Sequence, residues 1–311
     1  RLSLYRNTLV GTIPTKMGLC SNMSELYLYE NALTGGIPSE LGLITSMESL
    51  DLSAMALTGT IPSELGTMTA MTWLQLFENA LTGGVPSELG LITSMINLDL
   101  DTLALTGTIP TVLGTMTAMT WLALYENALT GGIPSELELM TSISVLALSN
   151  NFLNGTSELG TLSNLQHLVL SENAFSGTLP GEVGLMTSMA RLSIRNNSFR
   201  GTIPTELGAM TSLEILLLEN NTLTGPIPSE LGSLMDNQSL TRLSIENNDL
   251  SGTVTDELCS FGSLDSISGL GLSFDCGDKL CGCSWCECLL EIMVHNGSLA
   301  TRSTDGHIIP P

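Results

Sequence analysis

The sequence predicts an α/β repeat solenoid whose strands, one per repeat, form a parallel β-sheet on a concave face. Three observations predict it. The string TWLQLFENALTGGVPSELGLITSM at 72–95 returns as TWLALYENALTGGIPSELELMTSI at 120–143, and SELYLYENALTGGIPSELGLITSM stands at 24–47. An L-x-L pair recurs with its first Leu at Leu2, Leu26, Leu50, Leu74, Leu98, Leu122, Leu146, Leu168, Leu192, Leu216 and Leu243. The step is constant, as from Leu26 to Leu50 and from Leu50 to Leu74, except that it shortens after Leu146 and lengthens after Leu216. An Asn follows most of these pairs at a fixed offset: Asn7, Asn31, Asn79, Asn127, Asn151, Asn173, Asn197, Asn221 and Asn248. Fixed-period self-similarity of this length marks units that bury their apolar face only by stacking.

Each part of the unit x-L-x-L-x-x-N-x-L-T-G-x-I-P-S-E-L-G-x-M-T-x-M has a physical reading. In x-L-x-L-x the two Leu point inward and the x residues face out, because strand side chains alternate. The Leu after the Asn, the Ile before Pro and the following Leu and Met complete one continuous core. P-S-E-L places Pro in a first turn with a carboxylate beside it, which fits a short helical turn on the convex side. Stacking lines up Glu40, Glu64, Glu88, Glu136 and Glu230 on one flank, with Glu158, Glu182, Glu206 and Glu257 from variant units. Such a column has dipole and solvation roles, and a Ca²⁺ ladder is the alternative.

The unit resembles the plant-type extracellular leucine-rich repeat, whose L-T-G-x-I-P segment is specific to that subclass. About eleven repeats cover roughly 1–265 in this reading. The resemblance implies a horseshoe or superhelix, and an inward Asn that closes backbone hydrogen bonds where strand turns into loop. Two rungs of that ladder are broken, at Met55 and Leu103, so the true period of 24–143 is two units rather than one. Duplication of a two-repeat block explains this, and it predicts backbone groups in need of water at 53–57 and 101–105.

The repeat decays after 250. LGLSFDCGDKLCGCSWCECL looks like the Cys-rich C-terminal cap of secreted proteins of this kind, here placed at 266–288 with a tail at 289–311. Its dense spacing is reminiscent of algal relatives more than of land plants. Cys259, Cys276, Cys281, Cys283, Cys286 and Cys288 are read as disulfide candidates, since a solenoid end must be covered by a cap too small for its own core. A thiolate metal site is the rival. Cys20 is read as pairing with an N-terminal cap. The chain starts in mid-pattern at Arg1, from which a leader and such a cap are expected upstream. Six N-x-S/T sequons, at Asn22, Asn154, Asn196, Asn220, Asn237 and Asn296, point to a glycoprotein in the secretory route and a secreted or cell-surface location. No apolar run reaches the length of a membrane span.

Charge narrows the partners. The net charge is −22, and no Lys or Arg stands between Lys16 and Arg191. Residues 24–190 hold sixteen Asp and Glu. Nucleic acid is excluded as a natural partner, because phosphate contacts need Lys and Arg. Cationic or neutral partners fit, and repulsion also keeps an apolar-rich surface soluble.

The outward strand positions carry the functional reading. They are Tyr5 in the first unit, Tyr27 and Tyr29 in the second, Asp51 in the third, Trp73 and Phe77 in the fourth, Asp99 and Asp101 in the fifth, and Trp121 and Tyr125 in the sixth. Strands about 4.8 Å apart set Trp73 and Trp121 roughly 10 Å apart with carboxylates between. That pattern suits a protein ligand or self-contact, a glycan, or plain cross-strand stacking. Further along, Arg191 and Arg195 make the face basic. Three His sit in no motif with a nucleophile, so no catalytic function and no cofactor is expected. The expected function is non-catalytic extracellular recognition or adhesion on this aromatic-acidic face. A self-associating structural glycoprotein of a wall or extracellular assembly is the alternative. A minor one is ice binding, raised by the Thr-rich flanks T-G-T-I-P and T-M-T-A-M and opposed by the acidic columns.

Overall fold

The computed structural model describes residues 1–155, 162–236, 239–254 and 272–274. The fold is a solenoid with two parallel sheets of eleven strands each. The first runs from Leu2–Ser3 to Arg242–Ser244, and every strand pairs with the next repeat's equivalent. Its register is the repeat itself: Leu26 lies beside Leu50, Leu50 beside Leu74, and Leu74 beside Leu98. From the second repeat on, the inward residues of each pair are buried, along with most of the Ile, Leu and Met of the later segments; at the open end Leu2 is partly buried and Leu4 exposed. These side chains form one core that continues from repeat to repeat. Phe175 and Phe199 take the position of the Leu after the Asn and stack at 6.3 Å between centroids.

The sequence predicts one strand per repeat; the structure has two, and the second, built on A-L-T-G, forms its own sheet. It runs from Val10–Thr12 to Asp249–Leu250. Here Thr34 lies beside Ala56 and Thr58 beside Ala80. The equivalents one repeat on would be Thr58 and Thr82, so the register is two positions short of the repeat step that the concave sheet keeps. The helical turns are 3-10, as at Ser39–Leu43 and Ser63–Thr67. They pack so closely that a Cβ on Gly42 would collide with the carbonyl of Glu64 in the next turn. That contact accounts for the Gly in S-E-L-G. One α-helix, Leu231–Asp236, is described.

The Asn ladder behaves as expected. Asn79 accepts from the Leu57 amide at 3.0 Å and donates to the carbonyls of Leu52 at 2.8 Å and Leu76 at 2.9 Å. Asn127 does the same for Leu105, Leu100 and Leu124. The consequence of the broken rungs differs from the expectation. Each Asn oxygen serves an amide in the preceding repeat, so Asn79 and Asn127 already satisfy Leu57 and Leu105. The acceptor missing at Met55 and Leu103 is the one that would have served Leu33 and Leu81. Met55 packs partly buried against the core, and Leu103 is buried in it.

Beyond Leu250, the strand Gly252–Val254 pairs in parallel with Leu272–Phe274 in a separate two-stranded sheet. The disulfide candidates Cys259, Cys276, Cys281, Cys283, Cys286 and Cys288 and the sequons at Asn237 and Asn296 lie outside the described residues. Cys20 is exposed with a free thiol. Asn22, Asn154, Asn196 and Asn220 are exposed.

Candidate functional site

The concave sheet brings part of the expected site into one groove. The strand Asn97–Asp99 is flanked by Trp73–Gln75 and Trp121–Ala123. Trp73 and Trp121 stand on either side of Asn97, and Gln75 and Ala123 on either side of Asp99. Phe77 and Tyr125 occupy the equivalent positions beside Asp101, where the ladder continues through the Glu78 and Thr102 amides to the carbonyls of Asp101 and Tyr125. Local sequence explains the relief. Long aromatic side chains come from alternate repeats and short polar ones from the repeat between them. Trp73 and Trp121 are 40% and 38% exposed, while Asn97, Asp99 and Asp101 are only 6%, 8% and 4% exposed. The result is a polar floor between aromatic walls.

The electrostatics of the floor follow from burial. Asp99 is pushed up to about 8, first by desolvation and then by the carboxyl of Asp101, with which it shares a hydrogen bond. The Asp99 carboxyl therefore keeps its proton at neutral pH. Burial also raises Tyr125, and the neighbouring carboxyl of Asp101 adds to the shift. Asp51, two strands away, is raised by burial, a shift opposed by the Ser53 hydroxyl and amide that donate to it at 2.6 and 3.0 Å. Asn97 leaves its Oδ1 buried with no hydrogen-bond partner. Asn97 is legible in the sequence as an outward strand position between two Trp in the aligned repeats, but only its burial makes it part of the site.

The remaining expected residues lie elsewhere on the face. Tyr5 and Tyr29 stack on each other at 4.5 Å, with Arg6 ion-paired to Glu30 beside them at 3.0 Å. Tyr27 sits under the Arg1 guanidinium, 5.3 Å from its centroid. These rings engage neighbours in the same chain. Arg191 opens a strand four beyond Asn97–Asp99, about 19 Å of sheet away, and Arg195 follows it just past the strand end. Arg195 bonds to Glu172 at 3.3 Å and lies 3.8 Å from Glu219. Burial raises Glu219, aided by repulsion from Glu246 and opposed by Arg195 and Arg242. The acidic-aromatic and basic halves of the face are thus two separate regions. Among the described residues no group of three or more His, Cys, Asp or Glu is arranged to hold a metal ion, the acidic columns included.

The second sheet supplies a different surface. Its outward residues from Ala32 to Thr178 are Ala, Thr, Ser, Asn154 and Phe152, with no charge before Arg200. Thr34, Thr82, Thr106 and Thr130 each donate their hydroxyl to a Gly carbonyl of the preceding repeat, at 3.2, 3.1, 3.4 and 3.2 Å. These hydroxyls are tied to the sheet, and the register sets Ala104 beside Thr82 and Ala128 beside Thr106 on the next strand.

The Leucine Rich Repeat family pattern matches residues 164–186, 212–234 and 239–261. The fold is a leucine-rich-repeat solenoid. Among solved structures, the chain is similar to the plant peptide hormone receptor RGFR1 in complex with RGF2, at 30% identity and a TM-score of 0.77, over 88% of this chain and 47% of that one. It is similar to the Arabidopsis receptor kinase HAESA, solved with the peptide hormone IDA and the co-receptor SERK1, at 30% identity and a TM-score of 0.76, over 88% and 50%. The chain spans about half the length of these receptors. A plant ice-binding protein matches at 26% identity and a TM-score of 0.67, over 81% of each chain. No curated protein sequence matches the chain. Among the described residues no helix is long and apolar enough to cross a membrane.

Proposed function

We propose that this chain is a non-catalytic extracellular recognition module that binds a peptide or protein ligand across the acidic-aromatic half of its concave sheet. The observation that carries the reading is the groove over Asn97, Asp99 and Asp101, where exposed Trp73 and Trp121 border a buried polar floor. Aromatic side chains bordering a desolvated polar centre are the usual composition of an interface hot spot. The likeness to receptors solved with peptide hormones supports a peptide over a glycan. The exposed sequons at Asn22, Asn154, Asn196 and Asn220 fit a secreted glycoprotein.

The test is a binding screen of the secreted protein against random peptides and wall polysaccharides, beside a Trp73→Ala/Trp121→Ala variant. Peptide binding lost in the variant supports the reading. Binding that the variant retains sinks it. Polysaccharide binding alone moves the ligand class to glycan. Self-association that the variant abolishes moves the role to a structural assembly.

A second reading is favoured by the outer face of the second sheet. Its hydroxyls, tied to backbone carbonyls with no charge among them, can hold ordered water. The objection from the acidic columns weakens, because Glu40, Glu64, Glu88, Glu136, Glu182 and Glu206 stand on 3-10 turns and not on this sheet, while Glu158 and Glu257 lie outside the described residues. With the likeness to a plant ice-binding protein, this supports ice binding. Ice-growth inhibition that disappears in Thr82→Lys/Thr106→Lys supports it, and unaltered ice growth in the parent protein rejects it.

A further inference from the structure

We infer that the groove over the strand Asn97–Asp99 is a slot for the guanidinium of one arginine side chain of the ligand. The inference rests on the concave-face reading and names the chemistry that face recognises. Three observations carry it.

The first is width. Trp73 and Trp121 are two strands apart, about 10 Å, with only the short Asn97 between them. A planar group sandwiched between two rings needs about 3.5 Å on each side, roughly 7 Å in all, and the remainder accommodates ring tilt. Guanidinium is planar and stacks on aromatic faces, which an ammonium does less well.

The second is hydrogen-bond polarity. Asn97 Oδ1 is a buried acceptor with no partner, in a side chain more than nine-tenths buried. It lies on the same face of the strand as Asp99 and Asp101, whose carboxyl oxygens are acceptors too. A ligand group that only donates complements such a floor, and guanidinium carries donors and no acceptor. An unpartnered buried acceptor is costly by itself; a bound donor removes that cost.

The third is charge. The chain has no Lys or Arg from residue 17 to residue 190. No basic side chain from these repeats competes for the floor. The Arg1, Arg6 and Arg195 guanidiniums are committed to Glu25, Glu30 and Glu172.

The experiment uses the full chain and three probes: acetyl-Ala-Ala-Arg-Ala-Ala-amide and its citrulline and lysine counterparts. Binding is followed by Trp fluorescence and calorimetry at low salt. The arginine peptide is expected to saturate, with the neutral, isosteric citrulline peptide at least tenfold weaker and the lysine peptide at least threefold weaker. Asp99→Asn/Asp101→Asn, which preserves side-chain volume, is expected to lose at least tenfold in arginine-peptide affinity. Asn97→Leu is expected to lose severalfold, and circular dichroism checks that both variants fold. Citrulline or lysine binding equal to arginine overturns the assignment, as does unchanged binding by the double-Asn variant or no saturation by the arginine peptide. If another peptide from the screen binds and is lost in Trp73→Ala/Trp121→Ala but not in the double-Asn variant, the slot falls while the concave-face reading stands. If Trp73→Ala/Trp121→Ala leaves every binding event intact, both fall.

Discussion

Replacing Asp99 by Asn tests whether the recessed floor is as desolvated as its geometry requires. In the folded chain Asp99 titrates near 8; its ordinary value is 3.8. The folded state therefore binds more protons than the unfolded state across that interval. The sign follows: the stability Asp99 contributes is fully present below about pH 4 and is lost as pH rises through about 8. The interval is about 4 units at about 1.4 kcal/mol each, which sets a ceiling of ~5–6 kcal/mol. Water reaching the groove reduces it, so a loss of about 2–4 kcal/mol between pH 5 and pH 9 is expected from this group. Asp51 and Glu219 are shifted in the same direction and add to the slope in the parent protein. The assay is urea unfolding of parent and Asp99→Asn at pH 5, 7 and 9, with the slope on denaturant checked for constancy. The variant should show a shallower pH dependence and be the more stable of the two at pH 9. Identical pH dependence in the two proteins would refute the reasoning, because it would mean that Asp99 is hydrated in the folded state.

Three further outcomes follow from the packing. Met55→Asn restores a ladder rung that would serve the Leu33 amide, and should raise stability by about 1 kcal/mol in the same urea assay. Phe175→Ala should cost about 3–5 kcal/mol; the Phe175→Ala/Phe199→Ala pair should cost less than the sum of the singles, because the two rings stack on each other. Gly42→Ala drives a Cβ into the Glu64 carbonyl, backbone that cannot rotate away, and should lower stability by about 1–3 kcal/mol; an unchanged midpoint would show that the 3-10 turns separate freely.

Much of the fold was legible because its information is periodic. A constant repeat step with Leu at alternate positions leaves one way to bury every repeat, and the register of the concave sheet restates that step. Which side chains face out followed from strand alternation. So did the alternation of aromatic and acidic strands at Trp73, Asp99 and Trp121. The second sheet was not legible, since A-L-T-G is short and its pairing, Thr34 beside Ala56, exists only once repeats stack out of step with their own period. The ladder likewise reaches backwards along the stack, which moved the effect of Met55 into the preceding repeat, to Leu33.

By itself, then, the sequence determined the solenoid, its core and the list of residues on the concave face, because those depend on spacing along one chain. Tertiary structure decided which of those residues can act. Tyr5 and Tyr29 stack on each other, and Arg195 is held by Glu172. Trp73 and Trp121 stay open above Asn97, Asp99 and Asp101. Burial of a short polar side chain depends on the length of its neighbours one strand away, a whole repeat off in sequence, and only the stacked sheet brings them together.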